Sequence, residues 1–283
     1  MTQDLAGKVM LLTGATEGIG KAAALELARR GAALTLVGRN PEKSARVVAE
    51  LKAQSGNANI ALLLGDMSTL AGIRSVAQAF KATHDRLDVL INNAGAVFQK
   101  HQLTSDGFEL TFALNHLGYF LLTRELYDLI TGTPGARVVS TSSAAHRSGR
   151  MKLDSIARRP SGTAGFAAYG DSKLANILFT SELARRLAGT GATANCFHPG
   201  FVRTAFGQNN GGFLAGAITV AGSLFARTPE KGAETLVWLA TSPEAAPFSG
   251  EYFQDKQVAK STRLARDATL AKDLWKLSDE LCG

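Results

Sequence analysis

The amino-acid sequence predicts an α/β fold, in which a doubly wound parallel sheet is covered by helices on both faces. Short β-rich runs alternate with longer amphipathic runs from Val9 to His198. The β-rich runs lack polar alternation, as expected for strands buried on both faces. A glycine-rich turn joins the first β-rich run to the first amphipathic run, which is typical of a Rossmann-type sheet.

Each element has its own pattern. Six apolar runs are predicted to form strands: Val9–Thr13, Ala33–Val37, Ile60–Leu64, Val89–Asn92, Arg137–Ser140 and Thr193–His198. Five segments with apolar residues every three to four positions are predicted to form helices: Ile19–Arg30, Glu42–Ala53, Ile73–His84, Asp106–Leu129 and Ala168–Leu187. Beyond His198 the pattern weakens, but Pro229 indicates the start of a further helix, and a short strand is expected around Tyr252.

The length and composition indicate one globular domain over residues 1–283. The chain has 283 residues, 45% of them hydrophobic and 19% charged, which is enough apolar material for a sizeable core. No linker or repeat separates the C-terminal part. We therefore treat the residues after His198 as a cap on the same domain.

The charge and the cysteines exclude several classes of protein. The net charge is +7, but the basic residues are scattered and paired with acids, so a nucleic-acid partner is not expected. A phosphorylated cofactor accounts for the excess of positive charge at least as well as a nucleic acid would. Cys196 and Cys282 follow no metal or redox spacing, and no leader or 18-residue apolar run is present. We expect a cytoplasmic location, with no metal, disulfide or transmembrane segment.

A candidate phosphate-binding turn follows the first strand. Gly14, Gly18 and Gly20 would let the backbone approach a pyrophosphate, with Thr16 in the turn. Ile19 opens a helix whose N-terminal N–H groups would face the negative charge. The alternative is a purely structural turn, because a glycine pattern alone is weak evidence.

The end of the second strand indicates which nicotinamide cofactor is bound. An acid there would bind a ribose 2′-hydroxyl, whereas a cation accommodates a 2′-phosphate. The sequence has Arg39 and no acid, which favours NADP(H) over NAD(H) unless Arg39 is an ordinary solvated side chain. Asp66 would accept from the adenine amino group, and Asn92, Ala94 and Gly95 would meet the cofactor, although each is also a common turn residue.

The candidate catalytic residues lie farther along the chain. Tyr169 and Lys173 are four positions apart and so share one helix face. An ammonium beside a tyrosine lowers the phenol pKa, so the pair can pass a proton to a carbonyl oxygen. Ser143 adds a hydroxyl after the fifth strand. Asn115, among apolar neighbours, is either a hydrogen-bonded core group or part of a proton path.

Together these segments resemble the short-chain dehydrogenase/reductase family over nearly the whole chain. The matching segments are TGATEGIG (Thr13–Gly20), INNAG (Ile91–Gly95), Asn115, Ser143, YGDSK (Tyr169–Lys173) and HPG (His198–Gly200). The resemblance implies that Tyr169 is the general acid/base and that Lys173 lowers its pKa and binds the nicotinamide ribose. Ser143 would orient the substrate carbonyl and Asn115 would hold a relay water. Further cofactor contacts implied by the resemblance are Pro199, Gly200, Val202 and Thr204, while His198 is expected to be structural.

Within the family the sequence resembles the retinol dehydrogenase and WW-domain oxidoreductase-like group. The resemblance is carried by NHLGYFLLT (Asn115–Thr123), SKLANILFT (Ser172–Thr180), LWKLSDELCG (Leu274–Gly283) and the 26-residue interval from Ser143 to Tyr169. That interval implies an insertion, Arg147–Gly165, beside the pocket. Many members carry an N-terminal membrane anchor, whereas the first strand here begins within nine residues, so a soluble relative is expected and a retinoid substrate stays open.

The segment after Thr204 corresponds to the family's substrate loop. Gly211–Ala226 is the most apolar run, but at 16 residues with four glycines it is too short to span a bilayer. We expect an apolar lid over about residues 203–228. A helix packed on the core and a surface contact with a membrane are the alternatives.

The expected function is hydride transfer between NADP(H) and a hydrophobic carbonyl or alcohol. A catalytically silent NADP(H)-sensing or scaffold protein on the same fold is the alternative, although such a protein need not retain Asn115, Ser143, Tyr169 and Lys173. A biosynthetic ketoreductase or a protochlorophyllide-reductase-like enzyme is a second alternative. The family resemblance also implies a possible homodimer or homotetramer.

Overall fold

One eight-stranded sheet forms the centre of the molecule. The structure, a computed structural model, describes residues 3–158, 160, 165–202 and 227–283. The strands are β1 (Val9–Thr13), β2 (Ala33–Gly38), β3 (Ile60–Leu64), β4 (Val89–Asn92), β5 (Arg137–Thr141), β6 (Thr193–His198), β7 (Tyr252–Gln254) and β8 (Gln257–Val258). Their order is β3-β2-β1-β4-β5-β6-β7-β8. All neighbouring strands are parallel except β7 and β8, which pair as a hairpin.

The strand order reverses between β1 and β4, which are direct neighbours in the sheet. In open parallel sheets this reversal leaves a crevice at the carboxyl ends of the strands, and ligands bind there. The predicted doubly wound fold is confirmed. All six predicted strands are present with their predicted bounds, except that β2 and β5 each extend one residue further.

Helices cover both faces of the sheet. They are α1 (Gly18–Arg29), α2 (Pro41–Ser55), α3 (Leu70–Lys81), α4 (Leu110–Phe112), α5 (Gly118–Glu125), α6 (Tyr127–Gly132), α7 (Leu153–Ile156), α8 (Phe166–Arg186), α9 (Pro229–Thr241) and α10 (Ala268–Cys282). One hydrophobic core lies under α1, α2 and α9. The other lies under α3, α5, α8 and α10. The sheet is therefore buried on both faces, as the continuous apolar strands predicted.

The predicted helix Asp106–Leu129 is wrong as a single element. The helix begins only at Leu110, because the Glu109 carboxylate accepts hydrogen bonds from the N–H groups of Thr111 and Phe112. A π-helical turn, Ala113–Leu117, then separates α4 from α5. Such turns are rare and frequently lie at functional sites. This one contains Asn115.

Two C-terminal predictions are confirmed and one helix was missed. Helix α9 begins at Pro229 with Thr228 as its cap, and β7 contains Tyr252. The missed helix is α10, whose N-terminus is capped by the Asp267 carboxylate. The predicted lid, apart from its last two residues, lies outside the described residues, as does Thr204.

Candidate active site

The glycine turn between β1 and α1 packs tightly against the end of β4. Gly14 has a φ of +70°, and a Cβ atom there would lie 2.6 Å from Ala94 Cα. A Cβ atom on Gly20 would lie 2.1 Å from Gly14 O. Only glycine fits these two positions, because any side chain would collide with backbone. The turn therefore brings bare backbone to the crevice between β1 and β4.

Helix α1 points its N-terminus into the same crevice. Its N-cap residue, Glu17, makes no capping hydrogen bond from its side chain in the part of the chain described, and its carboxylate instead pairs with Lys43 at 2.5 Å. The first N–H groups of a helix need acceptors, and the helix dipole favours an anion. With Gly14, Gly18 and Gly20 beside it, this N-terminus fits the pyrophosphate of a dinucleotide.

Thr16 and Ile19 line the turn in different ways. The Thr16 methyl group lies 3.6 Å from where a Cβ atom on Gly38 would be, so it faces the end of β2. The Ile19 side chain packs against Gly232 in α9, beside Val202. Val202 forms an isolated bridge with Arg227, whose side chain lies over Gly200.

Arg39 and Asp66 lie at the carboxyl ends of neighbouring strands. The Arg39 side chain is 72% exposed, and its guanidinium is 3.9 Å from the Asp66 carboxylate. Asp66 Oδ1 also accepts hydrogen bonds from Ser68 N at 2.9 Å and Ser68 Oγ at 2.7 Å. Arg39 is thus held only loosely, in an exposed place where a phosphate could compete for it.

Asn93, which sequence reasoning missed, ties three strand ends together. Its Nδ2 donates to Thr13 O at 3.2 Å and to Gly14 O at 3.1 Å. Its Oδ1 accepts from Thr141 Oγ1 at 3.1 Å. Thr13 Oγ1 in turn accepts from the N–H groups of Asn93 and Ala94. The second Asn of INNAG was the available signal.

The side chain of Asn92 is not brought to the crevice. It is fully buried, and its Nδ2 donates to Thr123 Oγ1 of α5 at 3.0 Å. The Asn92 side chain therefore contacts α5, and its expected contact with the cofactor stays a prediction.

Helix α8 places Tyr169 and Lys173 in the crevice beside β5. Lys173 is 2% exposed, and its Nζ donates to Thr141 O at 3.0 Å. The same Nζ lies 5.6 Å from the ring centroids of both Tyr169 and Tyr119. The side-chain nitrogen therefore lies within cation–π distance of two aromatic rings.

Ser143 meets Tyr169 from the other side. A hydrogen bond joins the Ser143 hydroxyl and the Tyr169 phenol. The Ser143 hydroxyl also accepts from Ala145 N at 3.2 Å, which caps the short helical turn Ala144–Ser148. Ser143 is thereby fixed at the end of β5, with its oxygen facing the phenol.

Asn115 is fully buried, and its side chain is hydrogen-bonded. Its Oδ1 accepts from Ala96 N at 2.9 Å, while its Nδ2 donates to Ala96 O and Ser172 Oγ, each at 3.0 Å. Ser172 Oγ donates to Tyr169 O at 2.8 Å. A Cβ atom on Gly95 would lie 3.0 Å from Asn115 Oδ1 and 3.4 Å from Lys173 Nζ, so these three residues converge.

Burial dominates the electrostatics of the site. It raises the pKa of Tyr169 to about 12, opposed by the hydrogen bond with Ser143. It lowers the pKa of Lys173 to about 7. The expected lowering of the Tyr169 pKa by Lys173 is not found here. The physical reason is desolvation, which disfavours the charged forms of both groups.

The predicted insertion borders this cluster. Arg150 N and Met151 N both donate to Asp171 Oδ1, at 2.5 Å and 3.1 Å, two residues from Tyr169. Gly149 packs so closely on α8 that a Cβ atom there would lie 2.9 Å from Gly170 O. The described part of Arg147–Gly165 is therefore anchored beside Tyr169.

The described residues contain neither a helix able to cross a membrane nor a cluster of metal ligands. No helix among them is both long and apolar enough to cross a membrane. Within the same residues, no group of three or more His, Cys, Asp or Glu side chains is placed to hold a metal ion.

Comparison with known proteins adds four findings. The model of a family described as short chain dehydrogenase matches residues 8–212. Human retinol dehydrogenase 11 is 40% identical over 282 residues, covering 100% of this chain and 88% of that protein. An uncharacterized protein of Mycobacterium paratuberculosis has a similar structure, with a TM-score of 0.80, 31% identity and coverage of 100% of this chain and 97% of that one. A short chain dehydrogenase of Shigella flexneri 2a, complexed with NADP, has a TM-score of 0.71 and 26% identity, over 90% of this chain and all of that one.

Proposed function

Since the chain belongs to the short-chain dehydrogenase family and is close to its retinol dehydrogenase group, we propose that it is an NADP(H)-dependent oxidoreductase of hydrophobic carbonyls or alcohols. One observation carries the proposal. The Tyr169 phenol, hydrogen-bonded to Ser143, lies beside Lys173 in the crevice that the glycine turn lines. A proton donor and a dinucleotide-binding turn therefore open onto one space.

The cofactor would lie along the carboxyl ends of the strands. The N-terminus of α1 would bind the pyrophosphate, with the turn that contains Gly14, Thr16, Gly18, Ile19 and Gly20. Arg39 would bind the 2′-phosphate and Asp66 the adenine amino group. The backbone around Ala94 and Gly95 would lie beside it, and Lys173 would bind the nicotinamide ribose. Pro199, Gly200, Val202 and Thr204 would meet the nicotinamide end. When bound, NADPH supplies the hydride.

The residues of the chain would handle the proton. With its pKa raised to about 12, Tyr169 is protonated at neutral pH and can donate to the carbonyl oxygen during reduction. The Ser143 hydroxyl would orient that oxygen. Lys173, with a pKa of about 7, can gain or lose a proton near neutral pH and so return one toward Tyr169. Asn115 would hold the backbone of Ala96, and with it the loop beside Lys173, in place for this proton transfer.

The nature of the substrate follows from similar proteins and from the rim of the site. The name of the human relative indicates a retinoid alcohol, and two aromatic side chains close to the site are exposed, Phe166 at 67% and Phe201 at 63%. Exposed aromatic rings next to a polar cluster favour an apolar ligand. We therefore propose a hydrophobic aldehyde or ketone and its alcohol, with retinoids as one candidate class.

The test is an NADPH-oxidation screen with decanal, benzaldehyde and all-trans-retinal. Wild-type protein should oxidise NADPH with at least one of them, whereas the Tyr169→Phe variant should not. Binding of NADPH without turnover of any carbonyl or alcohol would favour the catalytically silent sensor instead. Cell fractionation and sedimentation would test the proposed cytoplasmic location and a homodimer or homotetramer.

A further inference from the structure

Two histidines contact the peptide group that follows Ser143. His146 is fully buried in the short helical turn after Ser143, whereas His198 is half-buried and is the last residue of β6. The sheet pairs Thr141 of β5 with Phe197 of β6, so His198 lies beside the chain that leaves β5 toward Ser143. Neither imidazole takes part in the proton transfer proposed above.

His146 binds the oxygen of this peptide group. Its Nδ1 lies 2.7 Å from Ser143 O. Because a carbonyl oxygen can only accept, Nδ1 must carry the proton and donate it. Nε2 of the same ring is buried without a hydrogen-bond partner among the described residues. In this tautomer Nε2 carries a lone pair, so the buried ring has no unpaired N–H group.

His198 binds the nitrogen of the same peptide group. Ala144 N donates to His198 Nδ1 at 3.2 Å. An imidazole nitrogen accepts only when it carries no proton, so the proton of a neutral His198 must be on Nε2. The two histidines are therefore opposite tautomers, and in each case a backbone group with a fixed role as donor or acceptor determines which.

The surroundings of His198 keep its ring neutral, as this contact requires. Burial, and after it the charge of Arg227, lower the pKa of His198 to about 4. His146 and Arg147 act in the same direction, and Asp255 opposes them. Burial also lowers the pKa of His146. Both imidazoles are thus uncharged at neutral pH, each with one donor and one acceptor nitrogen.

The orientation of the peptide group determines where the Ser143 hydroxyl points. Ser143 Oγ accepts from Ala145 N at 3.2 Å, and Ala145 follows directly after the peptide group that the histidines bind. If that group rotated, the N–H group of Ala145 would turn with it. Because Ala145 N–H occupies one lone pair of the hydroxyl, the proton and the other lone pair remain for Tyr169 and a substrate oxygen.

We propose that His146 and His198 are positioning residues for Ser143, in a role that rests on the function proposed above. His146 donates to the oxygen and His198 accepts from the nitrogen of the Ser143–Ala144 peptide group. This group cannot rotate without breaking one of the two hydrogen bonds. The Ser143 hydroxyl therefore keeps its direction, which hydride transfer to a carbonyl requires of the group that orients the carbonyl oxygen.

The tautomers are measured directly by ¹⁵N NMR of the histidine rings in the full wild-type chain at neutral pH, without cofactor. The ring signals are assigned through the bonds to the backbone of the same residue, so no variant is needed. We expect the proton on Nδ1 in His146 and on Nε2 in His198. The opposite tautomer of either residue, or a doubly protonated His198, would overturn the proposal. This measurement needs no turnover, so it is decisive even if no carbonyl substrate is found.

Variants of His198 test the positioning itself. Oδ1 of Asn is as many bonds from Cα as Nδ1 of His and can accept, whereas Leu has a similar branched shape and no acceptor. His198→Leu should lower kcat about tenfold, as expected for one lost hydrogen bond, and leave the KM for NADPH within about twofold. His198→Asn should recover most of this kcat. Equal kcat values for the Leu and Asn variants would overturn the proposal.

A double-mutant cycle shows whether His198 acts through Ser143. With the best aldehyde of the screen as substrate, His198→Leu should change kcat by less than about twofold in a Ser143→Ala protein, because the hydroxyl to be positioned is gone. A tenfold loss in both backgrounds would overturn the proposal, since it would indicate a general structural role. His146→Phe, which keeps a ring but no donor, should behave like His198→Leu. His84→Asn, near the amino-terminal ends of β2 and β3, is the control and should keep the wild-type kcat.

Discussion

Asn115 holds the backbone of Ala96 from both sides: its Oδ1 accepts from Ala96 N and its Nδ2 donates to Ala96 O. These two hydrogen bonds replace those that a neighbouring β-strand would make, because Ala96 lies just beyond the end of β4. It fixes the backbone next to Gly95, and Gly95 lies against Lys173. The loop that would contact the nicotinamide is thereby held by the π-helical turn.

Replacing Asn115 by Leu should loosen this loop. The variant leaves two backbone groups of Ala96 without their partner, so the free energy of unfolding should fall by about 1 to 3 kcal/mol, measured by urea denaturation. kcat should fall at least tenfold. Thr111→Val is the matched control, because the Thr111 hydroxyl is buried without a partner among the described residues, and its loss should not reduce stability. Equal effects of the two substitutions would contradict the role of Asn115.

Tyr169→Phe should abolish turnover while leaving the fold and NADPH affinity nearly intact. Phe keeps the ring but removes the proton donor, and general acid catalysis contributes about 10² to 10⁴-fold. Tyr119→Phe is the control. Tyr119 lies equally close to Lys173, but its buried hydroxyl lies next to the Thr141 side chain and makes no well-formed hydrogen bond in the described structure. The Tyr119→Phe variant should keep kcat within about threefold of the wild-type value. Single-turnover rates with NADPH measure this, and an equal loss in both variants would contradict the role of Tyr169.

The buried Lys173 should make the cofactor-free protein more stable as pH rises from 7 to 9. Its pKa is lowered from 10.5 to about 7, so in this range the unfolded chain binds a proton that the folded chain does not. Stability then rises by up to about 1.4 kcal/mol per pH unit. Lys173→Met should lack this rise, as followed by urea denaturation at several pH values. If the free energy of unfolding changed with pH in the same way in both proteins, Lys173 would be shown to keep its charge when buried.

Arg39 should determine the preference for NADP(H). Wild-type protein should bind NADPH at least ten times more tightly than NADH, because a charge-assisted pair contributes about 1.5 to 3 kcal/mol. Arg39→Ala should remove most of this difference, whereas Arg46→Ala, on the exposed side of α2, should preserve it. Fluorescence titration measures both affinities. Equal affinities of the wild-type protein for NADPH and NADH would rule out this role of Arg39.

Local patterns were sufficient to predict most of the fold. The strands are apolar because both of their faces are buried, and the turn at Gly14 needs glycine for reasons that lie within a few residues. The break at Ala113–Leu117 was not predictable in this way. Apolar spacing continues through it, and its contacts come from Ala96, Ser172 and Ser278, which are distant in sequence.

The candidate site was predictable only in part, for the same reason. Tyr169 and Lys173 were found because their spacing places them on one helix face. Asn93 and Asn176, the latter on α8, act through hydrogen bonds to other strands, and a polar residue in an apolar segment does not reveal its partner. The direction of the Tyr169 pKa shift was predicted wrongly, because the expectation counted the neighbouring charge and not the depth of burial.

The packing of α10 on α8 has a consequence for the order in which the molecule folds. His116 and Ser278 are 162 residues apart in sequence, and Trp275 of α10 stacks on Phe179 of α8 with an interplanar angle of 11°. Contacts of such long sequence separation form late, because a large loop must close first. The parallel pairing of β1 with β2, and of β2 with β3, closes far shorter loops. The half of the sheet that contains β1, β2 and β3 can therefore assemble early. We expect the fluorescence of Trp275 to change in the last kinetic phase of folding, when α10 packs on α8.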